Sequence, residues 1–493
     1  MCIGMFMAIL DVQVVATSLS TIQGALDIQA DQISWIQTAY LIAEIIAIPL
    51  TGILTRMLTM RWLFVAAVSV FTLASIGCAT SHGFADLITW RVVQGFSGGT
   101  LIPAVFSGVF LLFPIKHQNV ATTLAGITAV LAPTLGPVVG GWVTTTYSWH
   151  WLFLINVVPG ALAALIASQT LPREKAYFNE ARTLDVLSLV MMAVALTALE
   201  IALKEAPDRG WLSGFVLSLL FLFVVGAAGF VHRTLSASPP IVDLTSFADR
   251  NFTIGCILSF ALGIGLFGSV YLIPVFLGFV RSKSALDIGE IMLVTGVAQL
   301  IMAPIAVALE PRMDARVLTA LGFALFAAGL AASGWQSPRS DFADLFLPQV
   351  LRGCAIMFCL LPPTRLALGQ LAAARVPDAS GLFNLMRNVG GAIGIALIDS
   401  VIYSRAPSLG QELTNRLIGG DAVTATFVGI PPGLVEGANN GQIDPGTLSL
   451  LQPLVEKAAM TQAINESWLV IAALTGIAML CIPFARKIQS AKI

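Results

Sequence analysis

The sequence predicts an all-α polytopic membrane protein with fourteen transmembrane helices. Of its 493 residues, 57% are hydrophobic and only 11% are charged, whereas about 25% are charged in ordinary soluble domains. A mean hydropathy of +0.87 leaves too little polar surface for a soluble fold of this length, which excludes a water-soluble enzyme. Lys and Arg (26) nearly balance Asp and Glu (27), so nothing indicates the basic surface that a nucleic-acid partner requires.

The predicted helices are stretches of about 20 mainly apolar residues, the length that crosses about 30 Å of hydrocarbon. The first six lie near 2–22, 35–55, 62–80, 85–113, 118–143 and 149–170. Two further spans follow near 184–203 and 211–231. The last six lie near 252–279, 287–308, 314–335, 343–370, 379–404 and 467–485. The stretch 405–466 is rich in Pro and Asn and too polar to span, so we expect a loop there with some helix near 450–463.

An internal repeat divides these fourteen spans. Three features of the first half recur eight spans later: an Arg-Gly motif, a basic loop and a glycine-rich helix. The Arg-Gly motif is Arg91 to Gly95, matched by Arg352-Gly353. The basic loop contains Gly52, Arg56 and Arg61, matched by Pro304, Arg312, Asp314 and Arg316. The glycine-rich helix contains Gly126, Gly136, Gly140 and Gly141, matched by Gly381, Gly390, Gly391 and Gly394. The repeat predicts a six-helix bundle in 1–170, a two-helix insert with linkers in 171–250, and a second six-helix bundle in 251–493 that includes loop 405–466.

The distribution of basic residues predicts the orientation. With the N-terminus inside, fourteen Lys and Arg residues flank the cytoplasmic ends of spans and five lie in short outer loops, as the positive-inside rule requires. Both termini are therefore expected in the cytoplasm and loop 405–466 outside. No charged residue precedes Leu10-Asp11 in the first span, which indicates a truncated start.

The chain resembles the major facilitator superfamily, specifically its fourteen-helix drug:proton antiporters of the EmrB/QacA type. Within that type it resembles the EmrB branch most. The motifs that carry the resemblance are Leu10-Asp11, Arg91-x-x-Gln94-Gly95, Gly136-Pro137-x-x-Gly140-Gly141, Trp149 to Gly160, Pro240 to Leu244 and Arg250 to Thr253. The resemblance implies a major facilitator fold of two pseudo-symmetric halves. It also implies a periplasmic adaptor and an outer-membrane channel in a tripartite pump, if the host is Gram-negative.

The loop after the second span departs from the family pattern G-x-L-a-D-R-x-G-r-K. Here it reads from Gly52 to Arg61, with Arg56 where the acid is expected and Thr59 in place of the second glycine. If the acid helps to latch the halves, this protein must use a different latch. Asp314, between Arg312 and Arg316, is a candidate for compensation, and we group these residues as gating loops.

Three charged residues inside predicted spans are candidates for proton coupling, because ionisable groups at that depth are costly. Asp11 has no Lys or Arg near it in sequence, so desolvation favours its protonated form. Glu44 lies midway along the second span among apolar residues and is a candidate for proton or cation selectivity. Arg91 cannot lose its proton and must find an acid or a carbonyl. The resemblance suggests that Asp11 and Arg91 take part in proton transfer. Structural roles as hydrogen-bonded tethers are the alternative for each.

Other candidates concern direction and substrate. Glycines allow close helix approach and prolines bend a helix; these residues in the fifth span are Gly126, Pro133, Gly136, Pro137, Gly140 and Gly141. The run resembles the family's antiporter signature, which implies an exporter. Polar candidates for the substrate cavity are Gln94, Asn156, Asn384 and Arg387.

These features predict proton-coupled efflux of amphipathic compounds across the inner membrane by alternating access. The sequence has no G-x-x-x-x-G-K-[ST] run, so we expect a secondary transporter driven by the proton gradient, with no cofactor, no metal and no enzymatic activity. A dedicated exporter of a single metabolite, siderophore or signal is one alternative. A non-transporting membrane interaction protein is another.

Overall fold

The chain folds into long helices, as its composition requires. The computed structural model describes residues 1–27, 35–173, 185–236, 240–310, 312–431 and 445–487, and we find no β-strand in these ranges. The helices of the first half are α1 (Cys2–Thr17), α2 (Leu19–Leu26), α3 (Trp35–Ala79), α4 (Phe84–Leu112), α5 (Ile115–Thr146), α6 (Trp151–Leu154) and α7 (Val157–Thr170). The insert contains α8 (Val186–Arg209) and α9 (Gly214–Ser236). The second half contains α10 (Arg250–Val275), α11 (Ala285–Leu309), α12 (Ala315–Ala332), α13 (Phe342–Leu368), α14 (Val376–Ile418), α15 (Ala422–Val428) and α16 (Pro445–Ile477).

Eleven described helical segments are long and apolar enough to cross a membrane, and the bent helix α5 makes twelve. This confirms an all-α polytopic membrane protein. Helix α3 contains 45 residues, roughly 68 Å of helix and about two membrane crossings. Counting its two arms separately, together with the shorter α1, gives the predicted number of fourteen, which itself stays a prediction.

Thr59 divides α3 into two arms. Its φ of +72° and ψ of 157° lie in a region that glycine adopts and β-branched residues avoid. The break falls within the predicted loop between the second and third spans, at the position where the family pattern has its second glycine. The two predicted spans are therefore continuous except for this one residue.

The polar stretch 405–466 is more helical than expected. Helix α14 continues to Ile418, α15 follows at Ala422–Val428, and α16 begins at Pro445. Apolar residues explain the extension, because Leu409, Leu413 and Leu417 are buried on one face of α14. Residues 432–444 of this stretch lie outside the described ranges.

The two halves contact each other mainly along two helix pairs, α5 with α11 and α3 with α14, and also where α14 meets α4 and α13 meets α5. Small residues allow the close approach: a Cβ at Gly289 would lie 2.7 Å from the Val138 backbone nitrogen, and one at Gly381 would lie 2.9 Å from the Ile48 carbonyl oxygen. The insert helix α8 packs against both α14 and the first arm of α3. The insert therefore lies beside the interface between the halves.

Candidate functional site

The Asp11 carboxylate lies at the centre of a buried polar cluster in the first half. Asp11 is 1% exposed and Arg91 is fully buried. One Nη of Arg91 donates to Asp11 Oδ2 at 2.5 Å, and the other carboxylate oxygen accepts from Gln94 Nε2 at 3.0 Å and Asn156 Nδ2 at 2.8 Å. We refer to Asp11, Arg91, Gln94 and Asn156 as the Asp11 cluster.

Three helical elements supply the Asp11 cluster. Asp11 comes from α1, Arg91 and Gln94 from α4, and Asn156 from the cap residue that precedes α7. Arg91 and Gln94 are three residues apart on a helix and so share a face, which allows Arg91 to donate to Gln94 Oε1 at 2.7 Å. The cluster thus couples the charge on one carboxylate to the packing of several helices.

The first arm of α3 contacts the Arg91 guanidinium, and the second arm contacts Gln94. The Ile36 carbonyl oxygen accepts from Arg91 Nε at 3.1 Å, and the Tyr40 ring lies 4.4 Å from the guanidinium carbon. From the second arm, Ser75 Oγ accepts from Gln94 Nε2 at 2.9 Å. A buried arginine is stable only if its charge is compensated. Here a carboxylate, a carbonyl and an aromatic ring do so, while Arg91 Nη2 has no hydrogen-bond partner among the described residues.

Glu44 lies between the Asp11 cluster and the second half, since Arg91 and Asp11 of the cluster also contribute to its electrostatic surroundings. It is 8% exposed, and its electrostatic surroundings include Glu200 of α8 and Arg387 of α14. Arg387 donates to Asn384 Oδ1, and its guanidinium lies 5.6 Å from the Phe106 ring. Glu44, Asn384 and Arg387 therefore lie at the boundary of the two halves.

The four candidates for the substrate cavity lie at two separate places in the structure. Asn384 and Arg387 contact each other on α14, whereas Gln94 and Asn156 bind the Asp11 carboxylate. The expectation that Asp11 has no basic neighbour holds only along the chain, since Arg91 lies 80 positions away and contacts it directly. Sequence separation hides this contact.

A second ion pair joins the two halves at the end of the first arm of α3. Arg56 donates to Asp378 Oδ2 at 2.5 Å, and Asp378, in the first turn of α14, is 2% exposed. A Cβ at Gly52 would overlap the Asp378 carboxylate, so glycine is required for this approach. This chain has Arg56 at the position where the family pattern has an acid. The acid of the ion pair, Asp378, comes from the other half.

The remaining gating-loop residues make contacts within their own half. Asp314 caps α12 and accepts from its neighbour Arg316 at 2.9 Å, and these hydrogen bonds lower the pKa of Asp314. The acid that compensates for Arg56 is therefore Asp378 and not Asp314. Arg61 donates to the Ser168 carbonyl oxygen, and Arg312 is exposed.

The glycines and prolines of α5 shape its contacts with both halves. The helix bends by 43° between its segments Lys116–Pro133 and Leu135–Thr146, where Pro133 removes a helical hydrogen bond. A Cβ at Gly136 would collide with the Gln13 side chain of α1, and one at Gly126 would lie 2.6 Å from Leu360 of α13. The carbonyl oxygens of Gly140 and Gly141 accept from Thr144 and Thr145 within α5.

Sequence reasoning missed several residues of these sites. Tyr40, Ser75 and Asp378 were not singled out, because an aromatic residue, a serine and a helix-start acid are common in membrane helices. Only Asp378 carried a signal, because it is an acid in the first turn of a helix, where the helix dipole stabilises a negative charge. The described residues contain no group of three or more His, Cys, Asp or Glu side chains arranged to hold a metal ion.

Comparisons of this chain with known proteins agree on one family. A model of the Major Facilitator Superfamily matches residues 1–395. The chain is 39% identical over 478 residues to the colistin resistance protein EmrB of Acinetobacter baumannii, covering 94% of this chain and 91% of that protein. It is 31% identical to the multidrug export protein EmrB of Escherichia coli, covering 84% and 81%. It is 28% identical to the fatty acid resistance protein FarB of Neisseria gonorrhoeae, covering 83% and 80%.

Solved structures share the fold at low sequence identity. The proton:xylose symporter XylE superimposes with a TM-score of 0.60 at 13% identity, over 99% of this chain and 94% of the symporter. The human organic anion transporter MFSD10 gives a TM-score of 0.58 at 14% identity, over 96% and 97%.

Proposed function

Because the chain belongs to the major facilitator superfamily, we propose that it is a proton-coupled exporter of amphipathic compounds. It is a secondary transporter and not an enzyme. Relatives are named for multidrug export, colistin resistance and fatty acid resistance, and fatty acids are amphipathic molecules. We place this protein in the inner membrane with both termini in the cytoplasm, and we propose the proton gradient as its only energy source.

The observation that carries this proposal is the buried ion pair of Asp11 and Arg91. Both side chains are buried. Arg91 lies on α4, which is long and apolar enough to cross a membrane, and Asp11 lies on the shorter apolar helix α1. A charge in such an environment is costly unless it has a function or a partner. Moving one charge through 100 mV supplies about 2.3 kcal/mol, so a carboxylate that takes up and releases one proton can couple the gradient to a change of state.

Protonation of Asp11 would change the forces within the Asp11 cluster. A neutral carboxyl loses its Coulombic attraction to Arg91, whose charge persists, while Gln94 and Asn156 can still hydrogen bond to the carboxyl oxygens. Because α1, α4 and the residues before α7 meet at Asp11, their packing then depends on its protonation. We propose that proton uptake at Asp11 loosens this packing and favours the state that releases substrate outside.

The interface between the halves supplies the second requirement of alternating access. Transporters of this type rock one repeat against the other around a central site. In the present structure the Arg56–Asp378 ion pair joins the halves at one end, while Glu44 and Arg387 lie deeper along the same interface. We propose that substrate binds near Glu44 and Arg387. We also propose that the Arg56–Asp378 pair breaks when the halves separate at the end where this pair lies.

A transport assay tests the role of Asp11. We expect Asp11→Asn to abolish efflux driven by an imposed pH gradient in proteoliposomes, because asparagine cannot take up the proton. Asp399→Asn is the matched control: Asp399 is a partly buried acid of the second half, and it accepts a hydrogen bond from Tyr271 at 2.7 Å. This variant should retain efflux close to that of the wild type.

Gradient-driven efflux by Asp11→Asn at the wild-type rate would contradict proton coupling at this residue. Competition among chemically unrelated amphipathic compounds then measures the breadth of the substrate range. Competition by one compound alone would favour a dedicated exporter.

We also propose a partner. EmrB-type exporters resemble this chain along most of its length, and the resemblance implies a periplasmic adaptor and an outer-membrane channel in a tripartite pump. Affinity purification of the full chain from its native membrane, followed by mass spectrometry, tests this; co-purification of neither component would contradict it.

A further inference from the structure

Arg352 in α13 is a fully buried arginine that corresponds to Arg91 by the internal repeat. Arg352 is 1% exposed and Arg91 is fully buried. Each guanidinium also lies against an aromatic ring from the last membrane helix of its own half: Phe153, at 5.9 Å from Arg91, and Trp468, at 4.9 Å from Arg352. The two arginines therefore occupy equivalent environments in the two bundles.

Nη2 of each guanidinium has no hydrogen-bond partner among the described residues, and the two arginines differ in whether a carboxylate balances the charge. Arg91 has the Asp11 carboxylate, whereas Arg352 donates only a long hydrogen bond of 3.4 Å, from Nε to the Pro348 carbonyl oxygen. Within the ranges that the structure describes, no carboxylate forms a salt bridge with Arg352. Its charge is therefore buried without a counter-ion from these residues, an arrangement that is strongly unfavourable.

Three buried hydrogen-bond donors around Arg352 have no acceptor. They are Arg352 Nη2, Gln349 Nε2 and Trp468 Nε1. Gln349 lies one helical turn before Arg352 on α13, and its own Oε1 is already used, since it accepts from Thr295 Oγ1 at 3.1 Å. Gln349 and Trp468 are both fully buried, and buried donors in folded proteins nearly always have an acceptor.

We infer that the second half binds a small monovalent anion of the chloride class among Arg352, Gln349 and Trp468. The anion supplies the negative charge that Asp11 supplies in the first half, and it accepts from all three donors. One arginine balances one negative charge, so a monovalent ion fits the charge better than phosphate or sulfate. The site makes the stability of the second half depend on the anion in solution, a property outside the proposed proton coupling.

Thermal unfolding of the purified full chain in detergent tests this site. Sodium chloride is titrated against sodium gluconate at constant ionic strength and pH. We expect chloride to raise the Tm by several degrees and to saturate, because a ligand that binds only the folded state stabilises it. Bromide should replace chloride, and gluconate, a much larger organic anion, serves as the reference.

Two variants assign the effect to this site. Arg352→Met should remove the chloride dependence and should equal or exceed the wild-type Tm in gluconate, because it removes an uncompensated buried charge. Trp468→Phe keeps an aromatic ring but loses the N–H donor, so its apparent chloride Kd should rise about tenfold. Arg387→Gln is the control, since Arg387 is a buried arginine of the same half that already donates to Asn384; it should keep the chloride response.

Two results would overturn the inference. One is an equal Tm in chloride and gluconate for the wild type, as expected if water alone satisfies these donors. The other is an unchanged chloride response in both Arg352→Met and Trp468→Phe, which would place the anion elsewhere. If Arg352→Met does not fold, the Kd measured for Trp468→Phe decides the question.

Discussion

At the scale of single residues, the two buried acids of the first half have different surroundings. Asp11 accepts hydrogen bonds from three side chains of its own half. Glu44 has no such set among the described residues, and the charged groups around it come both from its own half, Arg91 and Asp11, and from other units, Glu200 and Arg387. A fixed ion pair suits proton coupling, whereas a carboxylate at the interface between the halves suits recognition of a charged substrate.

We therefore expect Glu44→Gln to weaken export of cationic compounds selectively. Loss of one charge roughly 8–12 Å from a bound cation costs about 1–2 kcal/mol at an effective dielectric constant near 20, which corresponds to about a tenfold rise in apparent KM. Initial efflux rates of a quaternary ammonium dye and of an uncharged compound, measured in the same vesicles, provide the comparison.

Glu205→Gln is the control for this prediction, because Glu205 pairs with Lys204 and Arg209 near the end of α8. An equal loss of transport for the cationic and the uncharged compound in Glu44→Gln would indicate a structural role for Glu44.

At the scale of helices, Thr59 and the glycines determine how the elements meet. A Cβ at Gly95 would lie 2.9 Å from the Tyr40 Cα, so α3 and α4 can pack this closely only with glycine at that position. Thr59 shows the opposite case, since a β-branched residue occupies a backbone conformation that favours glycine. The two arms of α3 are held in place despite that local cost.

We expect Thr59→Gly to stabilise the protein. Relief of a strained backbone conformation contributes about 1–3 kcal/mol, partly offset by the greater flexibility of glycine in the unfolded chain. The Tm of the purified variant should rise by a few degrees.

Thr55→Gly, four residues earlier in regular helix, should lower the Tm instead. Thr55 Oγ1 donates to the Thr51 carbonyl oxygen at 2.6 Å, and glycine within a helix costs about 1 kcal/mol. A fall in Tm for Thr59→Gly as large as that for Thr55→Gly would show that the threonine side chain outweighs the backbone strain.

At the scale of the whole molecule, the Arg56–Asp378 pair holds the two halves together at one end. Asp378 is buried, so loss of Arg56 leaves a carboxylate without its cation. Ser380 Oγ also donates to the Pro103 carbonyl oxygen at 3.0 Å, which adds a second contact between α14 and the first half. Closure at this end therefore depends on a small number of polar contacts.

We expect Arg56→Ala to shift the protein towards the state in which this end is open, by about 2–5 kcal/mol. Spin labels at Leu58 and Arg375 should report a longer distance in pulsed electron paramagnetic resonance. The reversed pair, Arg56→Asp with Asp378→Arg, should restore part of the short-distance population.

Arg316→Ala provides the comparison for this measurement, because Arg316 pairs with Asp314 inside the second half. The predicted latch would be wrong if Arg56→Ala and Arg316→Ala gave the same distance distribution as the wild type.

The sequence by itself determined the class of fold, the repeat and the family. Helix length and apolar composition depend on local residues, and a bilayer leaves few other options for a chain this hydrophobic. Short motifs around Asp11, Arg91 and Gly136 were sufficient to indicate the family because their positions recur in a fixed order. The helical continuation beyond residue 404 was missed, because polar residues on one face of α14 conceal its buried leucines.

Only the tertiary structure decided which charges meet. Asp11 and Arg91 are 80 positions apart, and Arg56 and Asp378 are 322 apart. Contacts at such separations depend on how whole helices pack, which a local pattern does not encode. For the same reason, equivalent arginines in the two halves looked alike in sequence. Packing gave Arg91 a carboxylate and left Arg352 with three unpaired donors around it.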